Sequence, residues 1–309
     1  MKDIFINLKR FDVPRSKGGI CPKDNPKEWI EWVIEESINN KLGVLEDITV
    51  SYLLPESLLI PAIEKLNSYS EEETKNISIG SQGVYREDVN PKGNFGAFTT
   101  NLPAACAKGM GASWSIIGHS EERKDKLGII ESYEPEYNSQ DDLRVRAQKA
   151  VNTLINKEVK CALEQNINVL LCVGETSEER GEGTFEEQKP RIKQVLKSQL
   201  ELCLDNNVDN LEDNKIVIGY EPIWAIGPGK TPPGKDYIAF VSSYIKEVVK
   251  DKYGFDIPVV YGGGLKEENA EMIASIDTID GGLVALTKFV QPIAFEPEGL
   301  KNIIMKYTI

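Results

Sequence analysis

The chain has one histidine, His119, in 309 residues, and none of its five cysteines forms a CxxC pair. So few nitrogen and sulfur ligands speak against a zinc site. The cysteines (Cys21, Cys106, Cys161, Cys172 and Cys203) are odd in number and suggest no disulfide framework. No metal and no cofactor is therefore expected, and a reduced, cytoplasmic setting fits. Long apolar runs are missing too. Nothing approaches the roughly 18 consecutive apolar residues of a membrane span, and the first residues, MKDIFINLKRF, lack the apolar stretch of a signal peptide. Positive charge is scarce: 36 lysines and arginines stand against 49 aspartates and glutamates, a net charge of −13. That balance argues against nucleic acid and against anionic membrane surfaces. An anionic substrate would have to be drawn by local features such as one lysine, backbone amides and helix N-termini.

Apolar content is ordinary at 40%, and it comes in short runs alternating with longer amphipathic ones. The short runs predict strands at 3–8, 48–53, 77–81, 114–117, 168–173, 215–220, 258–261 and 281–286. Helical spacing predicts helices at 26–38, 55–66, 102–108, 143–164, 185–204, 237–250, 266–274 and 296–305. Strands that alternate with helices imply parallel crossovers, and eight such units close into a (β/α)8 barrel of the α/β class. No linker or repeat breaks the pattern, so a single domain over 1–309 is expected. Extra sequence falls after strands one, three and four; within it, 124–142 is polar, has little periodicity and reads as a solvent-facing insertion. Those loops belong to the catalytic face of such a barrel and are expected to shape its mouth.

The richest stretch is IVIGYEPIWAIGPGKTPP, residues 216–233. An apolar strand ends on Gly219-Tyr220 and delivers a carboxylate, Glu221. Pro222 then keeps Glu221 out of the helical region. An apolar loop with a glycine-rich tip, Gly227-Pro228-Gly229, follows. A strand-end carboxylate beneath an apolar, hinged loop suggests a base under a water-excluding lid. Gly229-Lys230-Thr231 imitates the end of a Walker phosphate loop, but that motif needs a glycine where Trp224 stands.

YEPIWAIGPGKT closely resembles the catalytic-glutamate and lid segment of the triosephosphate isomerase family. Three more stretches match the family in order: Asn7-Leu8-Lys9, Gly118-His119-Ser120-Glu121 and Tyr261-Gly262-Gly263-Gly264. The resemblance implies a TIM barrel and an aldose–ketose isomerase that works through an enediolate. Its expected substrates are dihydroxyacetone phosphate and glyceraldehyde 3-phosphate, which would give it a place in glycolysis and gluconeogenesis. A four-carbon sugar phosphate of the erythrulose phosphate type, or a non-catalytic sugar-phosphate-binding barrel, are the alternatives.

The resemblance also assigns roles. Glu221 is the base. A lone histidine is usually structural, but His119 follows directly on an apolar strand at the end where barrel chemistry occurs, and the family makes it a neutral hydrogen-bond donor. Ser120 beside it can cap a short helix, whose N-terminus would disfavour imidazolium. Lys9 stabilises the anionic substrate, with Asn7 on the same face by period two and Glu121 nearby. Phosphate is expected on the backbone amides of Gly227, Gly264, Ala285 and Leu286. There the chain departs from the family, which has serine at 264 and two glycines at 285 and 286. In the family the lid is latched by hydroxyls of the YGGS loop. Gly264 has no hydroxyl, Pro232 has no amide to donate, and Tyr261 would need another partner. Trp224 and Glu175 match a pair that touches when the lid is open. Gly96-Ala97-Phe98-Thr99, in the long loop from Gly83 to Thr100, resembles the family's dimer loop, so a homodimer is implied, with altered contacts; Glu122 also replaces an arginine common in the family.

Overall fold

The computed structural model describes residues 1–207, 215–227 and 229–308. Eight parallel strands follow one another around a closed barrel: β1 Lys2–Asn7, β2 Ile48–Leu54, β3 Ile77–Ser81, β4 Trp114–Ile117, β5 Asn168–Val173, β6 Ile216–Tyr220, β7 Val259–Tyr261 and β8 Gly281–Val284. The helices between and after them are α1 Pro26–Asn39, α2 Glu56–Leu66, α3 Glu71–Thr74, α4 Ala104–Gly109, α5 Ser120–Tyr133, α6 Asp141–Glu164, α7 Ser177–Arg180, α8 Phe185–Leu204, α9 Lys235–Tyr253, α10 Ala270–Ala274 and α11 Pro297–Tyr307.

Period two along the strands separates two cores. Phe5, Leu53, Trp114, Ile116, Leu170, Cys172, Val217, Val260 and Leu283 fill the barrel interior. Phe5 and Trp114 meet edge to face there, with ring centroids 4.9 Å apart. The intervening strand residues, such as Ile4, Ile6, Leu171 and Ile218, pack outward against the helices. Burial on both faces explains why the strands read as continuous apolar runs rather than alternating ones.

Three expectations need correction. The stretch 124–142 faces solvent as expected, but it is not without regular structure, since its first part belongs to the 14-residue helix α5. Among α5 residues only Arg123 is buried, so no apolar stripe announced the helix. It is held instead by its cap and by polar contacts to α6. Strand β8 ends at Val284, two residues before the expected limit, and the chain leaves the sheet at Ala285. The connection from β8 to α11 carries a further excursion, marked by an antiparallel bridge between Lys288 and Ala294. Its polar and apolar residues carry no clear period, so sequence reading missed it.

The ends of β5 and β6 are locked at the mouth. Glu221 N–H donates to Val173 O at 2.8 Å. The Gln199 side chain of α8 clamps Gly174, accepting its N–H at 2.9 Å and donating to its C=O at 2.8 Å. A Cβ at position 174 would lie 1.7 Å from Glu221 O, so only glycine lets the two strand ends approach this closely. Gly174→Ala should therefore destabilise the protein by about 1–3 kcal/mol, the usual cost of overpacking, and displace Glu221. Urea unfolding checks this; a midpoint equal to that of the parent chain would show that the strand ends relax freely.

Candidate active site

β4 is followed by Gly118, whose φ of +76° turns the chain sharply. His119 follows as the N-cap of α5, and its Nδ1 accepts the Glu121 N–H at 3.2 Å. The cap is thus His119 itself and not Ser120, because the Ser120 side chain is engaged elsewhere. Ser120 donates from N–H to Glu221 Oε2 at 2.9 Å and from Oγ to Glu221 Oε1 at 3.0 Å. With Nδ1 accepting, neutral imidazole carries its proton on Nε2. That nitrogen lies 3.3 Å from Glu221 Oε1. Glu221 is only 2% exposed. The ends of β4 and β6, separated in the barrel only by β5, therefore bring an imidazole and a carboxylate into contact.

Lys9 joins them, though not by strand periodicity. β1 stops at Asn7, and Lys9 sits beyond it in a left-handed conformation with φ +44°. Its N–H donates to Asn7 Oδ1 at 3.0 Å, and its ammonium reaches Glu121 Oε1 at 2.5 Å. Burial pushes the Glu121 carboxyl up, but the hydrogen bond and charge of Lys9 outweigh it and hold Glu121 below its usual range. Gln82, unassigned in the sequence reading, ties this corner together. Its Nε2 donates to Lys9 O at 2.9 Å and to Asn7 Oδ1 and Leu53 O at 3.2 Å each. A polar residue directly after strand β3 was the available signal.

Behind the loop after β6, Glu175 is fully buried. Its Oε1 accepts from Tyr237 OH at 2.6 Å, Trp224 Nε1 at 2.8 Å and Tyr220 OH at 3.0 Å. Burial raises the Glu175 carboxyl pKa, and the three donors oppose that rise without cancelling it. Trp224 is packed further by the Arg180 guanidinium, 3.7 Å from its ring centroid, and by an edge contact with Tyr237. Tyr261 is buried, with Gly263 lying against its hydroxyl, and burial pushes its phenol up to about 12. Among the described residues its hydroxyl makes no hydrogen bond. Pro228, at the loop tip, lies outside the described residues.

One cavity of about 1120 Å³ opens at the mouth and unites most of the expected residues. Asn7, Lys9, His119, Ser120, Glu121 and Glu221 line it together with Gly227, Gly264, Ala285 and Leu286. Glu175, Trp224 and Tyr261 do not; they stand behind the wall. Leu286 shares its part of the lining with Phe289 and Ile293 from the β8–α11 connection. Lys266 lies there too, its ammonium 4.3 Å from the Phe289 ring centroid. Among the described residues no group of three or more histidine, cysteine or acidic side chains is arranged to hold a metal. None of the described helices is long and apolar enough to cross a membrane.

A parallel eight-stranded barrel with this cluster at the carboxyl ends of its strands defines a (β/α)8-barrel enzyme. Residues 36–291 match the family model for triosephosphate isomerase. The chain belongs to the triosephosphate isomerase family and is an isomerase. Curated relatives carrying that name include one from Alkaliphilus metalliredigens, 36% identical over 67% of this chain and 71% of its own length. Another, from Pelodictyon phaeoclathratiforme, is 33% identical over 82% of this chain and 89% of its own. The crystal structure of triosephosphate isomerase from Bartonella henselae shares the fold, with a TM-score of 0.67 and 22% identity over 100% of this chain and 99% of that one.

Trp224→Phe keeps a ring under Arg180 but deletes the Nε1–H bond to Glu175. A bond to a carboxylate contributes about 1–3 kcal/mol, which is about five- to 150-fold in an opening equilibrium. Hydrogen exchange at the amides of 223–227 should quicken by that factor. Unchanged exchange would show that packing alone holds the loop.

Proposed function

We infer that this chain interconverts dihydroxyacetone phosphate and glyceraldehyde 3-phosphate by proton transfer through an enediolate. The observation that carries the reading is the contact between Glu221 and His119, with Lys9 in the same cavity. Glu221 removes a proton from the carbon beside the carbonyl and returns it to the neighbouring carbon. One carboxylate with two oxygens can serve both positions without a metal. His119 donates from Nε2 to the substrate oxygen on which charge develops, and the hydroxyl proton of the one carbon passes to the former carbonyl oxygen of the other as the carbonyl changes place. Lys9, positioned by Asn7 and Gln82, balances the negative charge of the enediolate. Both Glu221 oxygens are occupied by Ser120, so the carboxylate must exchange those bonds for the substrate before it can act. Closure of the loop 222–231 then excludes water and strengthens the base.

The phosphate is held by the N–H groups of Gly227, Gly264, Ala285 and Leu286. No proline stands at any of these positions, so each can donate. Trp224 on Glu175 corresponds to the open state of the loop. With Gly264 and Pro232 lacking the polar groups of the family latch, closure is held less firmly than in relatives. The enzyme works in the cytoplasm as a homodimer through the loop from Gly83 to Thr100, where Phe95 is 76% exposed.

A four-carbon sugar phosphate is the second reading. It is favoured by the departures at Gly264, Ala285 and Leu286, the last of which lines the cavity of about 1120 Å³ together with Phe289 and Ile293. Isomerase assays with three- and four-carbon phosphates, compared by kcat/KM, separate the two. The three-carbon pair should be preferred, and the opposite order would overturn the first reading.

Glu221→Gln should lower kcat by at least about a hundredfold, the low end for positioned acid–base catalysis. His119→Asn should lower kcat more than it raises KM, because its hydrogen bond strengthens as charge develops. Full turnover by a folded Glu221→Gln protein would remove that carboxylate from the mechanism.

A further inference from the structure

Glu122 stands where the resembled family commonly has an arginine, and its carboxylate turns back onto the turn before α5. Its Oε2 accepts the Gly118 N–H at 2.6 Å. Its Oε1 is 2.5 Å from the Lys126 ammonium, which also reaches Glu158 Oε1 of α6 at 3.0 Å. Lys126 therefore bridges the two carboxyl groups. Arg123, the next residue, takes the other side of the same turn: its Nε donates to Gly118 O at 2.7 Å. Its remaining nitrogens bond Asn152 Oδ1 at 2.7 Å and Cys172 O at 3.0 Å. Both the N–H and the C=O of Gly118 are therefore fixed by side chains one turn into α5. The residue they fix is the one whose left-handed φ sets the direction of His119.

We propose that Glu122, braced by Lys126 and Glu158, is a positioning residue that fixes the turn presenting His119, and that the charge state of the Glu122–Glu158 pair reaches the imidazole through the Gly118 N–H. Its bearing on catalysis rests on the isomerase reading above. Two carboxyl groups face one ammonium, so a shared proton leaves the group neutral overall. Burial, with Glu122 beside it, pushes the Glu158 carboxyl up to about 9, while Glu122 is held below its usual range despite burial by Glu158, Lys126 and the Gly118 N–H. As a coupled pair they lose that proton in one step that belongs to both. The other titratable groups facing Glu158 are Cys161 on its own helix and Cys203 on α8, with Arg123 beside Cys203. Burial pushes both thiols up, Cys161 to about 11. When the shared proton leaves, a second negative charge repels Glu122 and loosens its hold on Gly118.

The chain offers a direct readout, because His119 is its only histidine and its imidazole gives one set of NMR signals. The parent chain, Glu158→Gln and Glu122→Ala are followed from about pH 7 to about pH 10. In the parent the His119 signals should shift as the pair loses its proton. In Glu158→Gln, whose amide cannot ionise, that shift should vanish. Glu122→Ala, which deletes the acceptor, should displace the signals already at neutral pH. It should also lower kcat by about ten- to a hundredfold, the cost of a small misplacement, with KM little changed. Glu122→Gln keeps a carbonyl for the Gly118 N–H and should recover most of that loss. An alkaline shift that is absent from the parent, or equally present in Glu158→Gln, overturns the proposal. So does a folded Glu122→Ala whose imidazole signals match the parent. If Glu122→Ala does not fold, the two glutamine variants decide by the same signals. The NMR needs no substrate, so failure of the isomerase reading would appear separately, as normal imidazole behaviour in a chain without turnover.

Discussion

Two hydrogen bonds from Ser120 to the carboxylate of Glu221 span the mouth of the barrel, and the site is assembled around them. They couple the end of β4 to the end of β6, strands separated in the barrel by β5. The same contact leaves Glu221 beside the His119 Nε2. It requires close approach of three strand ends, which is why Gly174 lies between them with no Cβ. A buried carboxylate is costly unless it is hydrogen-bonded, so Ser120 both places Glu221 and makes its burial tolerable.

The acidic balance of the chain throws weight onto a few cations. Lys9 is held by Glu121 and lines the cavity, with Gln82 bracing its backbone. Other charges serve the frame. Arg123 and the Lys126–Glu122–Glu158 cluster secure the turn that presents His119, and Asp3 with Lys215 joins β1 to the residue before β6. At the back of the loop after β6, Glu175 gathers three donors on one oxygen and immobilises Trp224. The site therefore combines a fixed imidazole, a fixed lysine and a carboxylate that is parked on Ser120.

Much of the fold was legible because strands buried on both faces appear as short apolar runs, and helices beside them show a 3.6-residue period. β4 and β5 lie where the runs predicted. α5 was missed for a physical reason: only Leu127 and Ile130 pack partly against the core, and the rest of its hold comes from a cap and polar contacts, which leave no periodic trace. The β8–α11 connection was missed because irregular backbone has no period at all. At the site, the strand-end position of His119 and Glu221 marked both residues. The helix-capping role expected of Ser120 failed because its hydroxyl has a better partner 101 positions away in sequence.

By itself the sequence determined the order of the eight strands, most of the longer helices and the family, because apolar periodicity and short motifs are local properties of the chain. It also determined which side chains stand at strand ends. Tertiary structure decided which of them meet. The left-handed backbone at Lys9, the pairing of Glu221 with Ser120, the inward turn of Glu122 and the placing of Leu286 beside Phe289 all depend on closing the barrel. That closure brings residues far apart in sequence within hydrogen-bonding distance, and no local pattern encodes such a distance.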